Sequence, residues 1–124
     1  MGEKILVVED EPLTRSNISE LLRNKGYEVT EAKDGAEAAE LLGDQGFDLV
    51  IADFVIPKIH GLDLVDLIRS RWPSLRIMII SGYLSASARK VILEGYADFI
   101  QKPVDADTLL SRVRLLLLPA RRLH

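Results

Sequence analysis

Five short apolar runs punctuate the chain, at Ile5–Val8, Tyr27–Thr30, Leu49–Ala52, Ile77–Ile80 and Phe99–Ile100. Most are rich in β-branched residues, and three are almost unbroken, which is the pattern of strands buried on both faces. Between the runs, apolar residues recur at helical spacing. The first interval carries Leu13, Ile18, Leu21 and Leu22, and the second Ala36, Ala39, Leu41 and Leu42. The third carries Leu62, Leu64, Val65 and Ile68, the fourth Ala88, Val91 and Ile92, and the fifth Leu109, Leu110, Val113 and Leu116. Gly26, Gly43, Gly46 and Gly95 stand where helices should stop, Pro73 follows the third helix, and Pro12 suits the first turn of the first. Strands alternating with helices predict an α/β fold, a parallel sheet wound with right-handed crossovers and covered by helices on both faces.

In such sheets chemistry gathers at the carboxyl ends of the strands. The sequence puts Glu9, Asp10 and Glu11 after the first strand, Asp53 at the end of the third, Ser81 after the fourth and Lys102 after the fifth. Apart from Glu11, these groups are expected to converge. Clustered carboxylates repel one another, and an unrelieved cluster raises a pKa or destabilises the fold. A hard divalent cation such as Mg²⁺, which prefers oxygen ligands, relieves the conflict. A lysine balances a further negative charge, and a small hydroxyl donates to an oxyanion. Together they suit phosphoryl transfer onto a carboxylate.

Length and composition narrow the field. The 124 residues are enough for one core and too few for two, so residues 1–124 are read as a single domain. A net charge of −3 offers no basic surface for direct nucleic-acid binding. Without cysteine there is neither a disulfide framework nor thiol chemistry. No stretch approaches the roughly 20 apolar residues of a membrane helix. The opening residues, with charges close on a short apolar run, do not read as a leader. The expected setting is cytoplasmic, with no membrane contact.

The chain resembles the receiver domains of bacterial two-component response regulators. The segments that carry the resemblance are Ile5-Leu6-Val7-Val8-Glu9-Asp10-Glu11-Pro12, Asp48-Leu49-Val50-Ile51-Ala52-Asp53, Pro57 with Gly61, Ile79-Ile80-Ser81-Gly82, and Asp98-Phe99-Ile100-Gln101-Lys102-Pro103. The resemblance implies a (βα)5 doubly wound, flavodoxin-like domain with strand order 2-1-3-4-5. It implies Asp53 as phosphoacceptor, and Mg²⁺ held by Asp10, by Glu9 (often through water), by Asp53 and by the backbone carbonyl of Val55. Lys102 would pair with the phosphoryl group, Ser81 would follow it, and Phe99 would change rotamer in response. The Lys102–Pro103 bond is often cis in this family. The implied partner is a sensor histidine kinase or a histidine phosphotransfer protein, and the implied output is a remodelled face of helix four, strand five and helix five. Such a domain catalyses its own phosphorylation without being a dedicated enzyme. It occurs alone, in longer regulators or in hybrid histidine kinases.

Departures from the commonest family pattern are informative. Glu9 replaces an aspartate and Ser81 a threonine. Val55, two residues past the acceptor, cannot position a hydrolytic water, and Tyr83 is bulky enough to cover part of the site. Slow self-dephosphorylation is therefore expected. In helix five, Leu109, Leu110, Val113, Leu116 and Leu117 share a face while Leu115 and Leu118 fall outside it. Those two leucines read either as a frayed terminus or as a contact surface, for a homodimer through the helix four, strand five and helix five face or for a following segment. Either way Arg112, Arg114, Arg121 and Arg122 are expected as solvated or rim charges.

Competing readings are distinguishable. A flavodoxin-like cofactor domain needs a phosphate-cradling loop after the first strand, where this chain has three acids. A dehalogenase-type phosphatase needs a second aspartate where Val55 stands. A degenerate receiver would lack one of the chemical residues. Taken alone, Glu9-Asp10-Glu11-Pro12 is an ordinary helix start with capping acids. His60 reads as a solvated loop residue.

Overall fold

A computed structural model describes residues 2–54 and 61–118. The strands are β1 (Lys4–Val8), β2 (Glu28–Ala32), β3 (Leu49–Asp53), β4 (Arg76–Ser81) and β5 (Asp98–Gln101). They alternate with α1 (Pro12–Arg23), α2 (Gly35–Asp44), α3 (Gly61–Arg71), α4 (Ala86–Leu93) and α5 (Ala106–Leu116). All four strand pairings are parallel and the order is β2-β1-β3-β4-β5, the topology implied by the family resemblance.

The two-residue alternation of strands sorts the apolar residues into two cores. Ile5 and Val7, Leu49 and Ile51, Met78 and Ile80 and then Ile100 meet Ile18 and Leu22 of α1 and Leu109 and Val113 of α5. Their neighbours Leu6 and Val8, Val50 and Ala52, and Ile77 and Ile79 meet α2, α3 and α4 through Ala38, Leu42, Leu64, Val65, Ile68, Ala88 and Val91. With both faces covered, the central strands need apolar residues at every position, which is why β3 and β4 read as unbroken runs.

Side chains satisfy the first free N–H groups of four helices. Glu11 accepts from the Thr14 N–H at 2.7 Å, Asp34 from Glu37 at 2.8 Å, Ser85 from Ala88 at 3.1 Å and Asp105 from Thr108 at 2.9 Å. Pro12 opens α1, as expected. Gly26 and Gly95 adopt φ of 94° and 82°, left-handed values that end α1 and α4 at little steric cost. Gly61 is required for a different reason. A Cβ there would lie 2.3 Å from the Phe54 carbonyl oxygen, which the Gly61 N–H bonds at 3.1 Å.

Several expectations shift. β2 begins and ends later than its apolar run, because an edge strand paired on one side tolerates Glu28, Thr30 and Glu31. Gly43 does not stop α2 but lies inside it, exposed, and the Gln45 N–H closes the helix on the Leu41 carbonyl. Leu13 is exposed and not core, and in α2 Ala38, not Ala36, is the buried alanine. Arg112 is not simply a solvated charge: its Nη1 pairs with Asp98 at 3.0 Å and donates to the Phe99 carbonyl at 3.1 Å. Arg121, Arg122 and His60 lie outside the described residues. No helix among the described residues is long and apolar enough to cross a membrane.

Candidate functional site

Strand alternation also aims the polar residues that follow the strands. Glu9 lies two positions past Val7, Asp53 two past Ile51 and Lys102 two past Ile100, so all three inherit the α1–α5 side of the sheet. The structure brings them together. The Lys102 Nζ lies 2.7 Å from Asp53 Oδ2 and 2.7 Å from Glu9 Oε1. Asp10 completes a trio in which one carboxylate oxygen from each of Glu9, Asp10 and Asp53 lies within 4.8 Å of the others. Glu9 and Asp53 are buried, whereas Asp10 is exposed.

The electrostatics follow from that geometry. Burial pushes the Glu9 carboxyl above its ordinary range; hydrogen bonds from Lys102 and from the Glu11 N–H oppose the rise, and the charge of Asp53 adds to it. For Lys102, burial alone would favour the neutral amine, but hydrogen bonds to Asp53 and Glu9 outweigh it and raise the ammonium's pKa. The Lys102 ammonium, 2.7 Å from the buried Glu9 Oε1, also pairs with it by charge. Among the described residues, the Lys102 ammonium pairs with two of the three carboxylates, all of them hard oxygen donors. That donor set fits a divalent cation such as Mg²⁺.

Backbone bonds lock the strand ends in place. The Lys102 N–H donates to the Ser81 carbonyl at 2.8 Å, the Phe54 N–H to Ile80 at 3.2 Å and the Glu9 N–H to Ala32 at 3.0 Å. The Lys102–Pro103 peptide is cis. Ser81 is buried at the end of β4, and Phe99 packs in the core shared with α4. Ser81 and Phe99 lie on the same side of the sheet, because Phe99 pairs with Ile79 and Ser81 lies two residues on. Glu11 stays out of the cluster and caps α1, as expected. Tyr83 is 65% exposed, and no hydrogen bond among the described residues holds it over the site. The Val55 carbonyl lies outside the described residues.

Sequence reasoning missed Arg15. Its Nη1 donates to the Glu9 carbonyl at 2.8 Å and its Nε to Glu31 Oε1 at 3.1 Å. The signal was present in register: Glu31 pairs with Val7, whose side chain faces α1, so Glu31 faces α1 as well.

The model of the response regulator receiver domain matches residues 5–114. The chain belongs to that family. Receiver domains act in two-component phosphorelay signalling. This chain is 37% identical over 114 residues to the CAI-1 autoinducer sensor kinase/phosphatase CqsS of Vibrio cholerae; the match covers 89% of this chain and 17% of that protein. It is 35% identical over 118 residues to the response regulator MprA of a Mycobacterium species, covering 94% of this chain and 51% of MprA. The chain therefore spans about half of MprA and about a sixth of CqsS. Among solved structures, a CheY-like receiver domain protein of Methanospirillum hungatei superimposes with a TM-score of 0.88 at 26% identity, over 94% of both chains. The response regulator TrrA of Thermotoga maritima, solved in complex with Mg²⁺ and BeF, gives a TM-score of 0.82 at 33% identity, over 93% of this chain and 99% of that one.

Proposed function

We propose that this receiver domain takes a phosphoryl group from a phosphohistidine onto Asp53, with Mg²⁺ bound by Glu9, Asp10 and Asp53. The observation that carries the reading is the Asp53 carboxylate held 2.7 Å from the Lys102 ammonium, with the Glu9 and Asp10 carboxylates gathered beside it. An Asp53 oxygen forms the new bond to phosphorus, the phosphorus–nitrogen bond to imidazole breaks, and the imidazole leaves with a proton. Bound Mg²⁺ supplies charge neutralisation for the phosphoryl oxygens. Lys102 is placed to pair with the transferred group. The family resemblance adds the Val55 carbonyl as a further metal ligand.

Phosphorylation adds about one further negative charge and new acceptor oxygens. Ser81 would move inward to donate to one of them, and Phe99, on the same side of the sheet, would fill the space Ser81 vacates. Taking such a switch from 1:99 to 99:1 needs about 5.5 kcal/mol. Charge-assisted hydrogen bonds of about 1.5–3 kcal/mol each reach that figure with two at the upper end or three in the middle of the range. The face that responds is α4, β5 and α5, read by a partner, an output domain or a second copy. The donor is a sensor histidine kinase or a histidine phosphotransfer protein, and the setting is cytoplasmic.

Incubation with acetyl phosphate and Mg²⁺, followed by intact mass, tests the reading. The wild type should gain one phosphoryl group and Asp53→Asn none. A wild type that gains none, or an Asp53→Asn variant that gains as much, overturns it. The phosphorylated form should then persist well beyond seconds without a phosphatase, because Val55 cannot orient water for hydrolysis.

A further inference from the structure

We infer that Arg15 is a positioning residue for the Glu9–Asp10 turn, with Glu31 as its anchor. The inference rests on the reading that this turn helps to hold Mg²⁺. Asp10 is exposed, and its carboxylate takes no hydrogen bond from any described residue. Where it points therefore depends on the backbone beneath it. That backbone is fixed at Glu9 from several directions. The Glu9 N–H bonds the Ala32 carbonyl, its carboxylate accepts the Glu11 N–H at 3.0 Å, and its carbonyl accepts from Arg15 at 2.8 Å. The Glu9 carbonyl belongs to the peptide that joins Glu9 to Asp10, so Arg15 sets the plane from which Asp10 departs.

Arginine suits the task because its rigid fork presents two donors at a fixed separation. One donor takes the Glu9 carbonyl and another takes Glu31 on β2, so the guanidinium cannot follow the turn if it moves. The competing reading is a staple that merely joins α1 to β2. Arg23 is such a staple: it pairs with Glu31 Oε2 at 3.2 Å and donates to the Val29 carbonyl, and it makes no bond to the acidic turn. The two arginines share one carboxylate and differ in the carbonyl each takes, Glu9 for Arg15 and Val29 for Arg23.

Mg²⁺ titration of the metal-free protein, followed by calorimetry and by amide NMR shifts at Asp10 and Asp53, separates the readings. Thermal denaturation is measured alongside. Arg15→Ala should weaken Mg²⁺ binding about 10- to 100-fold, the usual cost of removing a group that orients a ligand. Arg15→Lys should recover only part of that, since an ammonium cannot span both acceptors. Arg23→Ala should lower the melting temperature and leave the affinity within error of wild type. Should Arg15→Ala fail to fold, Glu31→Gln and Arg15→Lys carry the same measurement. Wild-type affinity in Arg15→Ala, or an equal loss in Arg23→Ala, overturns the inference. A wild type with no Mg²⁺-dependent shift at either amide overturns the metal reading itself, and the inference with it.

Discussion

Around the end of β1, side chains tie one element to the next: Arg15 donates to the Glu9 carbonyl, the Glu9 carboxylate accepts the Glu11 N–H, and Lys102 pairs with two carboxylates. Across the sheet, the flank of α4, β5 and α5 is built differently. Its helix α4 is short, its β5 has four residues, and Leu93 and Leu115 stand 78% and 63% exposed. There the polar tie from helix to strand is Arg112, half-exposed, reaching Asp98 and Phe99. Under the proposed function, the contrast separates two jobs. A metal site gains from ligands already held in place, since ordering them on binding costs affinity. A switching face gains from being close to two arrangements, and regions with few buried contacts open at low cost.

The sharpest way to break the ordered flank is to remove its cation. Lys102→Met leaves Glu9 buried beside Asp53 with no ammonium. Breaking a buried pair in this way costs about 3 kcal/mol, the lower end of the usual range, because Glu9 can escape by taking a proton. Urea unfolding without metal should show that loss, and added Mg²⁺ should return part of it by supplying the missing positive charge. Next comes Gly61→Ala. The new methyl would press on the Phe54 carbonyl and Cα, both backbone atoms that cannot turn aside. Overpacking of this kind costs about 1–3 kcal/mol. It should also slow phosphoryl uptake, since Phe54 directly follows Asp53.

Smaller changes sharpen the comparison from the other direction. Ser19 is buried in α1 with a hydroxyl that finds no partner among the described residues. Ser19→Ala removes an unsatisfied group and improves helix propensity, so unfolding should become harder by about 1 kcal/mol. On the opposite flank, Leu93→Ser and Leu115→Ser should each change stability by less than about 0.5 kcal/mol. If either costs as much as a core truncation, that face is covered in solution, and sedimentation at rising concentration would then show a dimer.

The sheet was readable from the sequence because burial on both faces forces apolar residues at every position of β3 and β4. β2 was misplaced for the converse reason: at an edge, Glu28 and Glu31 cost little, and hydrophobicity stops marking the strand. Gly43 misled because a glycine exposed on a helix costs only about 1 kcal/mol, which neighbouring contacts readily absorb. Asp53, Glu9, Asp10, Ser81 and Lys102 were legible because each stands at or just after the end of a strand, and parallel strands end together. Arg15 and Arg112 were not. Both act through backbone carbonyls, Glu9 and Phe99, and a carbonyl acceptor leaves no mark on the residue type that carries it.

The smallest effect concerns pH at the start of α5. Asp105 caps α5, and hydrogen bonds from the Thr108 N–H at 2.9 Å and its hydroxyl at 2.8 Å hold its carboxyl below the ordinary aspartate range. A carboxyl whose folded pKa is depressed contributes stability above its unfolded value and loses it as pH falls through the folded value. Asp105→Asn keeps a good cap but removes the titration. Urea midpoints measured below the ordinary aspartate pKa, about 3.9, should fall less steeply in the variant than in the wild type. An unchanged slope would place the acid sensitivity in groups other than the α5 cap.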